Sequence, residues 1–408
     1  MEVEKQEGKP GLYVGSTNIC KPKAGMEMRS PLGPDGMIED WDLFEEVLDH
    51  TYSRVLSCDP AEHPLMMSEC TWNEKSKRET LVELMFEKYK VPAFYLGKSP
   101  VLTAFANGRS TALVIEGGAS SMSVSPVYDG FVLAGHAKRS RVAGNALTSY
   151  FRDLLENKMG VEVVPIYRIK AKSAVSEAEP PKWTERHHDG ITKSYEDFGK
   201  NEVVRDFQAS VARVSEVAYH EETLASLPTT SYEFANGYNN AFGIERYRAS
   251  EMLFNPAKFG NPAYWGGSAA AAPPAVAAAA AVADGDAAMA VADDGEVPPM
   301  GLGELVTSCL DGCDIDIQSN LWNNIIVTGG ATLISGFQDR LQNVLAKSLP
   351  PNTKFKILGS NTGLPTDRVF HPWVGGSILA SLGSFQQMWI SVQEYEEIGK
   401  VVVDKKCP

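Results

Sequence analysis

The stretch Val114–Ser125, VIEGGASSMSVS, sets an acid and two glycines between two apolar runs. It reads as a strand, a tight turn with Glu116 at its mouth and Gly117-Gly118 within it, and a second strand; such a turn can present backbone N–H groups to a phosphate. Glycine pairs recur at similar junctions: Gly329-Gly330 follows the run IIVT, and Gly375-Gly376 reads as the opening of a helix. One such pair is weak evidence, because tight turns and close helix packing demand glycine as often as ligands do. Three together carry more weight. The common enzyme signatures are absent: there is no G-x-x-x-x-G-K-[ST] loop, G-x-G-x-x-G fingerprint, H-E-x-x-H helix or G-x-S-x-G elbow. The residues alone leave the Glu116–Gly118 turn as either a working phosphate clamp or its relic.

These turns need a scaffold, and the chain has the composition to build one. Its 408 residues are 43% hydrophobic and 22% charged, enough for two or three packed units. A formal net charge of -14 argues against non-specific nucleic-acid binding, which relies on clustered Lys and Arg. Six cysteines, Cys20, Cys58, Cys70, Cys309, Cys313 and Cys407, form neither a dense disulfide framework nor paired C-x-x-C knuckles, so free thiols in a reducing compartment are expected. With no apolar leader and no membrane-spanning run, the protein is expected to be soluble and intracellular.

Strands alternate with helices along much of the chain, which indicates an α/β fold. The first forty residues read as loop with a short strand near Leu12–Val14. EDWDLFEEVLDHTY places Trp41, Phe44, Leu48 and Tyr52 at helical spacing, and Thr71 with Glu74 has the pattern of a capping box before a helix presenting Leu81, Leu84, Met85 and Tyr89. AFYLG, ALVIEGG and VYDGFVL read as strands, and VLTAFANG as a helix. Lys172–Gly190 is polar and reads as an exposed excursion; its His187 and His188 lack a Cys or carboxylate at ligand spacing. The run His136–Arg141 reads as a solvated loop rather than a nucleic-acid contact. NEVVRDFQASVARVSEV has helical spacing through Val204, Phe207, Val211 and Val214, whereas residues 268–299, rich in Ala, Pro and Asp, read as a disordered insertion. Near the end, a helix is expected from about Gly336, another with Ile378, Leu379, Leu382, Phe385 and Trp389 inward, and a last one capped by Ser391 and Glu394.

Several segments carry a family resemblance. VGGSILASLGSFQQMWISVQEYEEIGKVVVDKKCP, IIVTGGATLISGFQDRL and HPLMMSECTWNEKSKRETLVELMFEKYKVPAFYL resemble actin, over nearly the whole chain from Pro31 apart from the alanine-rich segment. The resemblance implies two ribonuclease-H-like α/β domains hinged about a nucleotide cleft: residues 1–107 with 371–408, and residues 108–370. KQEGKPGLYVGSTN resembles the region after the family's first hairpin, so the first domain is expected to be incomplete at its N-terminus. TAFANGRSTALV, DFQASV and YEFANGYN are similar to the nuclear actin-related subunits of SWI/SNF-type chromatin remodellers and histone acetyltransferase complexes. That branch implies a nuclear scaffold whose partners are actin, a helical segment of a remodelling ATPase and other chromatin-complex subunits, with no direct sequence-specific nucleic-acid contact and no membrane. The alternatives are an ATPase of the same superfamily and a cytoskeletal actin-like protein.

The departures from the family pattern bear on chemistry. Where actin has an Asp that organises a metal, this chain has Glu116, and a second family acid is replaced by Ala119. The His and Gln that orient the attacking water fall at Ser123 and Ser99, so the resemblance implies no catalytic residue, no metal site and no hydrolysis. On the adenosine side, the family's Lys-Glu pair falls at Gln208 and Ala209. The implied cofactor residues are Glu116, Gly117, Gly118, Gly144, Arg205, Gly329 and Gly330, which would hold ATP weakly at most, with none required. Phe105, Gly108, Leu379 and Leu382 match positions where actin receives partner helices; as apolar residues, they suit a protein core equally well.

Overall fold

The computed structural model describes residues 11–265, 299–349, 353–358 and 365–408. Strands β1 (Leu65–Glu69) and β2 (Ala93–Lys98) pair in parallel, and parallel pairing needs a crossover, which the helix Lys75–Glu83 and its π-helical extension Leu84–Lys88 supply. β3 (Ala112–Gly117), β4 (Met122–Tyr128) and β5 (Phe131–Val132) form an antiparallel run, with β6 (Lys138–Ser140) on the same β4. Two hairpins follow, β7 (Ile169–Ser173) with β8 (Lys182–Glu185) and β9 (Thr230–Glu233) with β10 (Asn239–Phe242). β11 (Ile325–Thr328) then inserts parallel to β3, with β12 (Ile357–Leu358) outside it, and β13 (Ile390–Ser391) returns to β2.

The sheet β12-β11-β3-β4-β5 supports the turn of interest, and β3 lies inside it. Strand side chains alternate between faces, so Leu113 and Ile115 enter a large core with Phe151, Phe207 and Leu341, while Ala112 and Val114 enter a smaller one with Ala104, Val127 and Ile326. Both faces of β3 are thereby buried. The first core along the chain, separate from these two, gathers Tyr52, Met85, Phe86, Phe94 and Leu96 with Phe385, Ile390 and Val403 from the C-terminal segment. Arg78 fastens that segment: its guanidinium pairs with Glu69 at 3.0 Å and Asp404 at 2.9 Å, and it donates to the Cys407 carbonyl.

Two helices cross where these cores meet. The helix Ser99–Ala106 leads from β2 toward β3, and the helix His371–Ser381 packs along it. Gly375 and Gly376 lie within the second helix rather than opening it, and a Cβ on Gly375 would overlap the carbonyl oxygen of Leu102. This glycine pair therefore serves helix packing, not ligand binding.

Other expectations shift. No strand forms at Leu12–Val14, where a short helix Ser16–Ile19 follows instead. Glu74 caps Lys75–Glu83 without a side-chain bond, so the Thr71–Glu74 box does not form, whereas Ser391 and Glu394 close theirs at 3.2 and 2.9 Å. The Lys172–Gly190 excursion contains part of the β7–β8 hairpin; His187 bonds Asp189 at 2.9 Å and His188 the Tyr167 carbonyl at 3.3 Å. His136–Arg141 contains strand β6 rather than a free loop, with Arg139 over the Trp72 ring. The helix Lys193–Val211 ends before Val214, and His371–Ser381 ends before Leu382, which is 42% exposed, as is Ile378. The alanine-rich segment 268–299 lies outside the described residues except for Pro299.

Gly375→Ala should cost about 1–3 kcal/mol, because a methyl group must displace a backbone carbonyl. Gly383→Ala, where an added Cβ meets open space, should stay within about 0.5 kcal/mol. Urea denaturation of the two variants measures the contrast, and equal losses would remove the close crossing as the cause.

Candidate functional site

The turn forms where β3 and β4 run out of register partners, Glu116 lying opposite Ser123 and Gly117 opposite Met122. The Gly118 N–H donates to the Ser121 carbonyl at 2.9 Å, which closes the turn. The helix Gly144–Asp153 abuts it: the Gly144 N–H donates to Gly118 O at 3.1 Å and the Asn145 N–H to Ala119 O at 2.8 Å. A helix N-terminus ordinarily offers its first N–H groups to an anion. Here these two go to the protein's own carbonyls. A Cβ on Gly144 would stand 3.2 Å from Gly118 O, so glycine is what permits the approach.

Gly329 completes the junction from the other neighbouring strand. It has φ +92°, and a Cβ there would overlap the Gly117 carbonyl oxygen. The Thr332 hydroxyl donates to Gly329 O at 2.7 Å, and Arg368 Nη1 donates to Thr332 O at 3.2 Å. On the opposite side the loop around Asp35 leans over the turn. Trp72 Nε1 donates to Asp35 O at 3.2 Å, Arg141 Nη2 reaches Asp35 Oδ1 at 3.1 Å, and a Cβ on Gly36 would stand 3.1 Å from Ser120 Oγ.

At the centre, the Ser99 hydroxyl donates to Glu116 Oε1 at 2.5 Å. Ser99 is the first residue of the crossing helix Ser99–Ala106, and Ser123, 2% exposed, is the cross-strand neighbour of Glu116. Burial pushes the Glu116 carboxyl up to about 7, against the Ser99 hydrogen bond, which favours the charged form. Some of its surface still reaches solvent, but protein surrounds the carboxyl closely enough for desolvation to prevail. At neutral pH it is therefore a mixed acid and carboxylate held by a hydroxyl. Among the described residues, no group of three or more His, Cys, Asp or Glu is arranged to hold a metal ion.

The structure thus brings together Glu116, Gly117, Gly118, Gly144 and Gly329, with Gly330 next in chain facing open space. Arg205 stays apart, exposed on the helix Lys193–Val211 and paired with Glu202 at 2.6 Å. Gln208 instead reaches this side of that helix and accepts a hydrogen bond from Thr148 at 2.9 Å. Of the four candidate partner residues, Gly108 and Leu382 are exposed, Phe105 is partly buried and Leu379 packs against the first core.

The actin family model matches residues 2–408. The chain belongs to the actin family. It is 36% identical over 403 residues to actin-related protein 4 of Arabidopsis thaliana, which covers 97% of this chain and 83% of that relative. It is 37% identical over 411 residues to actin-related protein 4 of Oryza sativa subsp. japonica, covering 100% of this chain and 85% of the relative. The protein of the same name in Schizosaccharomyces pombe is 34% identical over 396 residues, 96% of this chain and 88% of its own. The α/β architecture with several sheets agrees with the actin-like two-domain fold.

Sequence reasoning placed Ser99 and Ser123 near the turn through the actin resemblance, but it did not find the hydroxyl-to-carboxyl bond, the Asn145 donor or the Gly36 loop. The available signal was the joint change: a shorter polar residue at 99 stands where a longer carboxylate occurs at 116. Because the folded Glu116 binds its proton more tightly than the unfolded chain does, its contribution to stability is fully present below about pH 4.5 and lost as pH rises through about 7. Glu116→Gln keeps an acceptor for Ser99 and cannot ionise. The variant should therefore be more stable than the parent at about pH 8, with the advantage shrinking toward about pH 5. Urea midpoints at the two pH values test this, and a pH-independent difference would mean that the carboxyl titrates normally.

Proposed function

We propose that this chain is a non-catalytic structural and regulatory subunit of nuclear chromatin-remodelling and histone acetyltransferase complexes. One observation supports the non-catalytic part: Glu116 is tied to the Ser99 hydroxyl, while the N–H groups of Gly144 and Asn145 at the abutting helix start are bonded to carbonyls of the turn. Glu116, tied to Ser99 and partly protonated, is poorly suited to organise a divalent cation, whose ligands must be deprotonated. Phosphoryl transfer depends on cation and water placement, and serines stand at the positions matching the family's water-orienting residues. ATP is at most a weak ligand and not a required one.

The nuclear and chromatin part rests on TAFANGRSTALV, DFQASV and YEFANGYN, which resemble the nuclear actin-related branch, and on similarity to proteins named actin-related protein 4. The proposed partners are actin and a helical segment of a remodelling ATPase, received near the C-terminal ends of the two crossing helices. Leu382, 42% exposed just beyond His371–Ser381, is the residue there best placed for a partner, with Phe105 and Gly108 on the neighbouring helix end. Leu379 is partly spent on the first core.

Affinity purification of the tagged chain from nuclear extract, read by mass spectrometry, should recover actin with a remodelling ATPase or acetyltransferase subunits. Leu382→Asp should reduce that recovery while leaving the unfolding midpoint within about 0.5 kcal/mol of the parent. Recovery of chaperones alone would overturn the scaffold reading. Magnesium-dependent phosphate release above a protein-free blank would overturn the non-catalytic one.

A further inference from the structure

A cavity of about 470 Å³ lies away from the glycine junction, between the chain running through Arg213–Val217, the segment Thr223–Thr230 and the start of the helix Phe337–Ser348. Its volume falls within the range of small-molecule sites. The walls are fixed by two buried arginines. Arg340, paired with Glu251 at 2.5 Å, donates to the carbonyls of Ser215 and Val217 and so holds one wall. Arg246, 7% exposed, lines the cavity itself; its Nε donates to Val211 O at 3.0 Å and its Nη1 to Pro228 O at 3.1 Å, its guanidinium lies over the Tyr247 ring at 5.6 Å, and its Nη2 has no hydrogen-bond acceptor among the described residues.

Three features converge on this space. The first is Arg246 Nη2, a charged donor whose other contacts lock the guanidinium in place. The second is Arg213, exposed at the rim and without an acidic partner among the described residues. The third is the first turn of the helix Phe337–Ser348, whose Gly336 cap makes no side-chain hydrogen bond; the Phe337 N–H is spent on the Ile334 carbonyl, so this turn contributes the positive end of the helix dipole, offset in part by Asp339. Gly336 is glycine because a Cβ there would overlap the Val214 carbonyl oxygen, which brings the helix start against the Arg213–Val217 wall. Two carboxylates, Glu216 and Asp339, also line the cavity, both exposed. They lower the net charge, but neither forms an ion pair with Arg246, which has no acidic partner among the described residues. Apolar surface is supplied by Leu224, Leu227 and Val217, the last two 39% and 54% exposed.

We propose that this cavity is a binding site for a small organic oxyanion, a phosphate monoester or carboxylate with an apolar body, its charged end on Arg246 and Arg213 and its apolar end on Leu224 and Leu227. The proposal is independent of the scaffold reading, because it concerns a different surface. Arg246 confers selectivity for a planar or tetrahedral oxyanion, since its guanidinium is already oriented by two carbonyls and loses little freedom on binding. Leu227 favours organic anions over inorganic ones.

Calorimetric titration of the full chain at low ionic strength with phenyl phosphate, benzoate, inorganic phosphate and phenol tests the site. At least one of phenyl phosphate and benzoate should bind, more tightly than inorganic phosphate and phenol, and whichever binds better identifies the oxyanion. Arg213→Ala, a change at an exposed residue, should weaken that binding about tenfold. Arg246→Lys should weaken it further if the variant folds, and Leu227→Asp should abolish the preference for organic over inorganic anion. No binding of either organic anion to the parent protein would overturn the proposal, as would unchanged affinity in both Arg213→Ala and Leu227→Asp.

Discussion

The close passage of the helix Ser99–Ala106 against His371–Ser381 sets the geometry on which the remainder depends. Backbone lies on backbone there, because Gly375 leaves room for the Leu102 carbonyl. The first helix carries the chain from β2 into β3, and the second leads toward Phe385 and Ile390 in the first core. One contact therefore governs how the two sheets face each other. It also seats Ser99, the first residue of its helix, so that the hydroxyl meets Glu116 at the end of β3. The candidate site is thus a consequence of helix packing some distance from it.

Two acids, Glu69 buried and Glu116 partly so, show what the environment makes of a carboxylate. Glu69, 6% exposed, lies between Arg78 at 3.0 Å and Lys98 at 2.7 Å, so its charge is balanced by two cations. Glu116 has a hydroxyl instead. A hydroxyl donates a hydrogen bond but no charge, and it cannot repay the desolvation of a carboxylate. The outcome is a proton held up to about 7 and a turn whose Gly118, Ala119 and Ser121 carbonyls are all bonded within the protein. Such a junction is stable without a ligand, which separates the role of the glycines in holding strands together from any role in holding phosphate.

Much of the scaffold was legible in the sequence. ALVIEGG and its partner strand follow from the apolar run and the turn glycines, and the Ser391–Glu394 box follows from a local pattern that local hydrogen bonds realise. Other features were hidden because their causes are remote. The β7–β8 hairpin is made of polar residues, so its alternation carries no hydrophobic signal. The helix His371–Ser381 stops at a residue whose side chain gives no stop signal. The partners of the Gly144 and Asn145 N–H groups are carbonyls three strands earlier in the chain, before β4, β5 and β6, which no spacing rule connects. The glycines were correctly seen as special, but sequence could not tell a glycine that admits a ligand from one that admits another backbone. Gly144, Gly329 and Gly375 all belong to the second kind, and only the coordinates of their neighbours distinguish the two.

The connection from Gly329 to Gly336 links the junction with the cavity lined by Arg246, and both of its ends are pinned. Gly329 lies on the Gly117 backbone and Gly336 on the Val214 carbonyl, at sites where a side chain would overlap. Between them, Thr332 is 1% exposed and bonds back to Gly329. A segment fixed by backbone contact at both ends has little room to absorb a displacement by rotating side chains, because close-packed interiors transmit strain rather than dissipate it. Movement of the helix start at Gly336 must therefore be taken up by the connection as a body or by the β11–β3 pairing that holds Gly329. The pairing runs from Ile325 to Thr328 along a strand buried throughout, which makes it the stiffer of the two. The glycines at the connection's two ends thus tie the Glu116–Gly118 turn to the wall of the Arg246 cavity through one short segment packed on backbone at both ends.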